Sequence, residues 1–322
     1  MFIDILLVIA GLALLVAGGE ALVRGATGIA LLARITPAVV GLSVVAAGTS
    51  MPELVVSLQS ALEGNSGIAV GNVVGSNIFN IACILGLTAL IRPLTIQGQT
   101  VRLEWPVMML AAFQLHLLSR DGVLDRLEGA FFVAALVAFV AYVVKLARTA
   151  LDAREQAELA EVVDASFGRT GATAAAFNVL AILVGVAVLA GGSTLLVRGA
   201  SSLASGLGVS DAIIGVTIVA AGTSTPELVT SIVAARRGNP EVAVGNIVGS
   251  NIFNVLCIGG LVAMITPIPV PAEILARDNP VMLAVSLLLL PLMRSGMRVN
   301  RAEGAFLFAV YGVYLAYLIA GL

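Results

Sequence analysis

Residues 41–80 of this 322-residue chain are written twice. The first copy reads GLSVVAAGTSMPELVVSLQSALEGNSGIAVGNVVGSNIFN, and residues 215–254 read GVTIVAAGTSTPELVTSIVAARRGNPEVAVGNIVGSNIFN. Extended to Leu90 and Met264, the copies agree at 31 of 50 positions, at a constant offset of 174 and without a gap. Any fold must therefore give the two copies equivalent surroundings. Each copy sets one glutamate, Glu53 or Glu227, inside a long apolar run. A carboxylate at bilayer depth costs roughly 2.5–3.5 kcal/mol on insertion scales, so an acid kept there marks a functional position. Two acids at matching places point to one shared site.

Composition identifies the apolar runs as membrane spans. The chain is 59% apolar and 11% charged, with a mean hydropathy of +1.07; soluble domains are about 45–50% apolar and about 25% charged. An all-α polytopic membrane protein is expected, with no soluble domain of any size and no nucleic-acid partner. Cys83 and Cys257 are repeat equivalents inside apolar runs and read as buried free thiols. The first run follows Met1 directly, with Asp4 in place of a basic stretch, and reads as a retained span instead of a signal peptide.

A bilayer core of ~30 Å needs about 20 apolar residues per helix. On that scale the chain predicts ten transmembrane helices, over residues 2–23, 36–62, 67–91, 103–119, 127–147, 174–197, 211–235, 241–265, 279–293 and 303–321. A polar cytoplasmic linker, 148–173, separates two five-helix repeats, 1–147 and 174–322, which carry the duplicated segments 41–90 and 215–264. Five is odd, so the second repeat is inverted relative to the first. Loop charges agree. With the linker inside, Arg24, Arg34, Arg92, Arg102, Lys145, Arg148, Arg154, Arg169, Arg236, Arg237, Arg294, Arg298 and Arg301 are cytoplasmic. Only Arg120, Arg126, Arg198 and Arg277 fall outside, which satisfies the positive-inside rule and places both termini outside. Inverted repeats of this kind recur in secondary transporters, with the site at mid-depth between them.

Within the first copy, Pro52 lacks an N–H and crowds the carbonyl one turn back, so a break near Gly48-Thr49-Ser50 is expected. Thr223, Ser224 and Pro226 repeat the device beside Glu227. Broken helices at membrane depth are tolerated where they line a polar cavity. In the following spans Ser76 and Asn80 lie four apart on one face, as do Ser250 and Asn254, with Asn72 and Asn246 one turn earlier. Gly71, Gly75, Gly245 and Gly249 form small-xxx-small surfaces for close helix approach. Each feature alone has an ordinary structural explanation: a kink, a back-bonded hydroxyl, interhelical amide glue, a packing groove. Their duplication at constant spacing argues for a site. All its donors are oxygens, the set preferred by Na⁺, Ca²⁺ or Mg²⁺ over softer metals. No basic residue shares the depth of either glutamate, so a mobile cation or a proton must neutralise them.

The paired GTS-x-PE and GN-x-x-GSN-x-x-N segments resemble the two alpha repeats of the sodium/calcium exchanger family, within the cation/calcium antiporter superfamily. That resemblance implies an antiporter, not an enzyme, of the short prokaryotic type in the bacterial inner membrane, with Ca²⁺ and Na⁺ as transported ions and no cofactor. It implies central ligands at Glu53, Asn80, Glu227 and Asn254, and hydroxyl ligands at Thr49, Ser50, Ser76, Thr223, Ser224 and Ser250. It also implies carbonyl ligands at Ala46 and Ala220, and alternating access in which spans one and six slide over the core. Asn254 departs from relatives that carry an aspartate there, which leaves ion stoichiometry and any proton or K⁺ involvement open. A Ca²⁺/H⁺ or other cation/H⁺ antiporter is the alternative. A channel is disfavoured by the two-fold repeat, and an intramembrane protease by the lack of an HExxH pattern.

Other polar residues receive structural readings. Glu20 and Arg24 are spaced for a local ion pair, Trp105-Pro106 for an interfacial anchor, and His116 for packing at a span end. Asp121, Asp125 and Glu128 read as a solvated loop, and the linker acids as a solvated helix without an EF-hand pattern.

Overall fold

The computed structural model describes residues 2–32, 37–149, 171–206 and 220–320. Most of the linker therefore lies outside the described residues, as do residues 211–219 of the seventh expected span. The described chain is almost wholly helical. Among the described residues seven helices are long and apolar enough to cross a membrane, or eight if the bent pair Gly41–Thr49 plus Met51–Leu62 is taken as one span. Of the two remaining expected spans, 103–119 corresponds to a helix over 100–118, and 211–235 is described only from Ala220.

Two long helices, α1 (Phe2–Leu32) and α2 (Gly171–Gly206), run far past the expected ends of their spans and pack on each other. Glycine permits that contact. A Cβ on Gly18 would stand 2.9 Å from the Gly185 carbonyl oxygen, and one on Gly185 would stand 2.7 Å from the Leu22 amide nitrogen. Without a hydrophobic drive between helices in lipid, such backbone approach is what holds a pair together.

The core is built from the duplicated segments. Each consists of a broken helix followed by a long one, Ser66–Ile91 in the first repeat and Pro240–Ile265 in the second. Of the seven long spans among the described residues, these two are the most deeply enclosed. Both widen to i→i+5 bonding midway, over Phe79–Leu85 and Asn254–Gly259. Such π-bulges collect at functional sites. Gly249 presses on the first broken helix, where an added Cβ would stand 2.8 Å from the Ala46 Cβ. Its repeat equivalent Gly75 has nothing within 4 Å among the described residues, which do not include residues 211–219.

Four two-residue strands tie the loops together. Leu94–Thr95 pairs antiparallel with Arg298–Val299, and Val123–Leu124 with Ile268–Pro269. Trp105 is half-buried and its indole N–H donates to the Ser286 carbonyl at 2.7 Å, joining two helices. The loop acids have a local task as well. Asp125 Oδ1 accepts from the Glu128 N–H and Glu128 Oε2 from the Asp125 N–H, both at 2.9 Å, a capping box for the helix Arg126–Thr149.

Candidate cation-binding site

Both broken helices fail at the serine before the proline pair. Ser50 takes φ −83°, ψ 8° and Ser224 takes φ −88°, ψ 8°, between Ala46–Thr49 and Met51–Leu62 in one repeat and Ala220–Thr223 and Thr225–Arg236 in the other. The bend in the first repeat is 49°. Proline supplies the cause, because Pro52 and Pro226 cannot bond back to Gly48 and Gly222. The freed Gly222 carbonyl accepts a hydrogen bond from Ser193 Oγ at 2.5 Å. The repeat equivalent of Ser193 is Gly19, which has no side chain to offer. Ala46, by contrast, keeps its carbonyl in the helix, accepting the Ser50 N–H at 3.0 Å. Ala220 opens its described helix.

The breaks deliver each serine to the other repeat. Ser50 Oγ donates to Glu227 Oε1 at 2.9 Å, and Ser224 Oγ donates to Glu53 Oε1 at 2.8 Å. The two carboxylates are buried, at 1% and 0% exposure, and meet through this exchange. Ser76 Oγ lies 3.1 Å from Ser224 Oγ, and Ser250 Oγ lies 3.5 Å from Glu227 Oε1. The amides one turn earlier brace the breaks. Asn72 Nδ2 donates to the Glu53 carbonyl (3.1 Å) and to Ser57 Oγ (2.9 Å). Asn246 Nδ2 does the same to the Glu227 carbonyl (3.3 Å) and Ser231 Oγ (3.0 Å). Their oxygens accept from the threonines of the opposite repeat, Asn246 from Thr49 Oγ1 at 3.2 Å and Asn72 from Thr223 Oγ1 at 3.5 Å. Thr49, Ser50, Glu53, Ser76, Thr223, Ser224, Glu227 and Ser250 thus form one hydrogen-bonded constellation across the repeat interface.

Several buried polar atoms on these elements have no partner among the described residues. Glu53 Oε2, Glu227 Oε2, Asn254 Oδ1 and both amide atoms of Asn80 make no hydrogen bond. Buried polar groups are nearly always paired, and an unpaired charged one costs several kcal/mol. Four of these five orphans are oxygens, which only accept, and two of the four belong to carboxylates. No arginine or lysine among the described residues pairs with either glutamate; the ion pairs joining Glu20 to Arg24 and Arg237, and Arg277 to Asp278, lie elsewhere. Nor do three His, Cys, Asp or Glu side chains gather anywhere among the described residues. A cation held here would need amide and hydroxyl oxygens to complete its shell, a set that fits Na⁺ or Ca²⁺.

Sequence reasoning missed Asn77 and Asn251, both buried beside this cluster. Asn77 Oδ1 accepts from Asn254 Nδ2 at 3.0 Å, and its own Nδ2 donates to the Asn251 carbonyl at 3.3 Å. The signal was present, since both copies read GSNIFN and so carry a second asparagine on the next face.

The chain is similar to known proteins over nearly its full length. A family model described as sodium/calcium exchanger protein matches residues 3–145 and 177–320. The inner membrane protein YrbG of Escherichia coli (strain K12) is 38% identical over 319 residues, covering 99% of this chain and 97% of its own. The sodium/calcium exchanger MaX1 of Methanosarcina acetivorans is 32% identical over 352 residues, covering 98% of each. Among solved structures, the sodium-calcium exchanger NCX_Mj superposes with a TM-score of 0.83 at 27% identity, over 98% of each chain.

Proposed function

We propose a function from one premise: the chain belongs to the sodium/calcium exchanger protein family. It is an integral membrane cation antiporter of that family and not an enzyme. In our reading it exchanges Ca²⁺ for Na⁺ across the plasma membrane, at one site between two inverted five-helix repeats, 1–147 and 174–322. Ten spans cross the bilayer, with both termini and the loops 120–126 and 266–278 outside.

The loop contacts support that topology. Residues 94 and 124 match 268 and 298 at the 174 offset, and the strands pair crosswise, 94–95 with 298–299 and 123–124 with 268–269. Each pair joins loops that the charge count assigns to one face. Arg237 bonds Glu20, and the Arg92 guanidinium donates to the Arg236 carbonyl at 3.2 Å, all four on the side assigned to the cytoplasm.

The observation that carries the proposal is the reciprocal serine–glutamate exchange with its orphaned acceptors. Glu53 and Glu227 each spend one oxygen on a hydroxyl from the other repeat and leave the second free, beside the free oxygens of Asn80 and Asn254. Ca²⁺ or Na⁺ takes those free oxygens, with hydroxyls from Thr49, Ser50, Ser76, Thr223, Ser224 and Ser250 and the carbonyls of Ala46 and Ala220 completing the shells. Because both ions need the same two charges, they occupy the site in turn. The empty site stays too negative to reorient readily, which couples the fluxes. The α1–α2 pair, joined glycine to glycine, moves as a unit to switch the open side.

Proteoliposomes loaded with Na⁺ and diluted into Na⁺-free buffer containing radioactive Ca²⁺ test this. Uptake driven by the Na⁺ gradient, and not by an imposed pH gradient, is the expected result. Uptake driven by pH alone would assign the site to Ca²⁺/H⁺ exchange.

A further inference from the structure

The two inward amides, Asn80 and Asn254, are repeat equivalents, yet the structure treats them differently. Asn254 donates Nδ2 to Asn77 Oδ1 at 3.0 Å, which turns its Oδ1 away from Asn77, buried and without a partner. Asn77 is itself held: it is 2% exposed, and its Nδ2 lies 3.3 Å from the Asn251 carbonyl and 3.6 Å from Met282 Sδ. At the matching place Asn251 turns its Nδ2 onto the Ile247 carbonyl at 3.0 Å, and Asn80 makes no hydrogen bond at either amide atom.

An asparagine binds a cation only through its oxygen. An amide free to turn over presents its N–H₂ to the ion in half of its orientations, and a metal's outer partners serve to suppress such alternatives. The geometry points to Asn77 as a positioning residue that fixes Asn254 oxygen-first toward the ion. This rests on the reading of Asn254 as a cation ligand. It makes the two halves of the site unequal: one amide is preset as an acceptor, and the other is free to reorient as ions exchange. Asn77 touches no ion itself, and acts through the hydrogen bond it accepts.

The test is Ca²⁺ binding to detergent-purified protein by titration calorimetry, with thermal unfolding of each variant as the check on folding. Asn77→Leu matches asparagine in shape and removes the acceptor. It is expected to weaken Ca²⁺ binding by about tenfold, the low end of outer-partner effects at metal sites. In an Asn254→Asp background both oxygens are acceptors and no orientation has to be fixed, so adding Asn77→Leu should change affinity by less than about twofold on the same reasoning. An equal loss in both backgrounds assigns Asn77 to packing and overturns the proposal, as does no loss in either. If Asn77→Leu does not fold, Asn77→Asp decides, because it keeps an acceptor for Asn254. Near-normal affinity upholds the positioning role, and a tenfold loss overturns it. Glu227→Gln run alongside separates the two readings: if it binds Ca²⁺ normally, the site assignment itself has failed.

Discussion

Replacing Glu227 with glutamine changes one atom, and the structure says which. Ser50 and Ser250 hold Oε1 at 2.9 and 3.5 Å, and Gln can keep that oxygen where it is. Its N–H₂ then falls at the position of Oε2, the unpartnered oxygen assigned to the ion. The variant therefore loses a charge and aims two donors at the cation. Two unit charges 4 Å apart at an effective dielectric of about 20 attract by about 4 kcal/mol, and a divalent ion doubles this. Taking only the smaller figure, Ca²⁺ affinity should fall close to a thousandfold, since about 1.4 kcal/mol is a factor of ten. Glu53→Gln should do the same, with Ser224 keeping Oε1 at 2.8 Å. Neither variant should lower the unfolding temperature of the ion-free protein, because a neutral amide costs less to bury than a carboxylate. Radioactive Ca²⁺ uptake into proteoliposomes, with binding measured in detergent, reads both quantities. Affinity within tenfold of wild type for either variant would refute the reasoning.

Further outcomes follow from individual contacts. Ser224→Ala removes the donor to Glu53 and the Ser76 contact, and should weaken Ca²⁺ binding by about tenfold, the worth of one hydrogen bond to a charged group. Gly249→Ala drives a Cβ against Leu42 and Ala46 and should cost about 1–3 kcal/mol of stability. Thermal unfolding of the variant beside wild type checks it. Arg237→Ala breaks the half-exposed pair with Glu20 and should cost less than about 1 kcal/mol, a loss that shrinks further in high salt.

The helix breaks were legible because proline acts locally: Pro52 and Pro226 lack the N–H whatever surrounds them. The Glu20–Arg24 pair was legible for the same reason, being one turn of one helix, and it forms at 2.7 Å. What the sequence could not show is what depends on the partner element. Ser50 lies three residues from Glu53, and spacing offers no hint that its hydroxyl serves Glu227 instead. Arg237 joins Glu20 only because the tertiary fold brings distant segments together. The position of Trp105 at a span start gave no hint that its indole would bond the Ser286 carbonyl of another helix. The widened turns at Phe79–Leu85 and Asn254–Gly259 carry no proline and share no glycine, Gly259 having Leu85 as its counterpart, so no common signal separates them from ordinary helix.

The claim that two ions share one pair of carboxylates is tested most directly by competition at equilibrium. Ca²⁺ binding to purified protein should weaken steadily as Na⁺ is raised, with full occupancy recovered at high Ca²⁺, and should vanish in the Glu53→Gln, Glu227→Gln double variant. Ca²⁺ that stays bound at saturating Na⁺ with unchanged affinity, or that binds the double variant as tightly as wild type, would contradict the account.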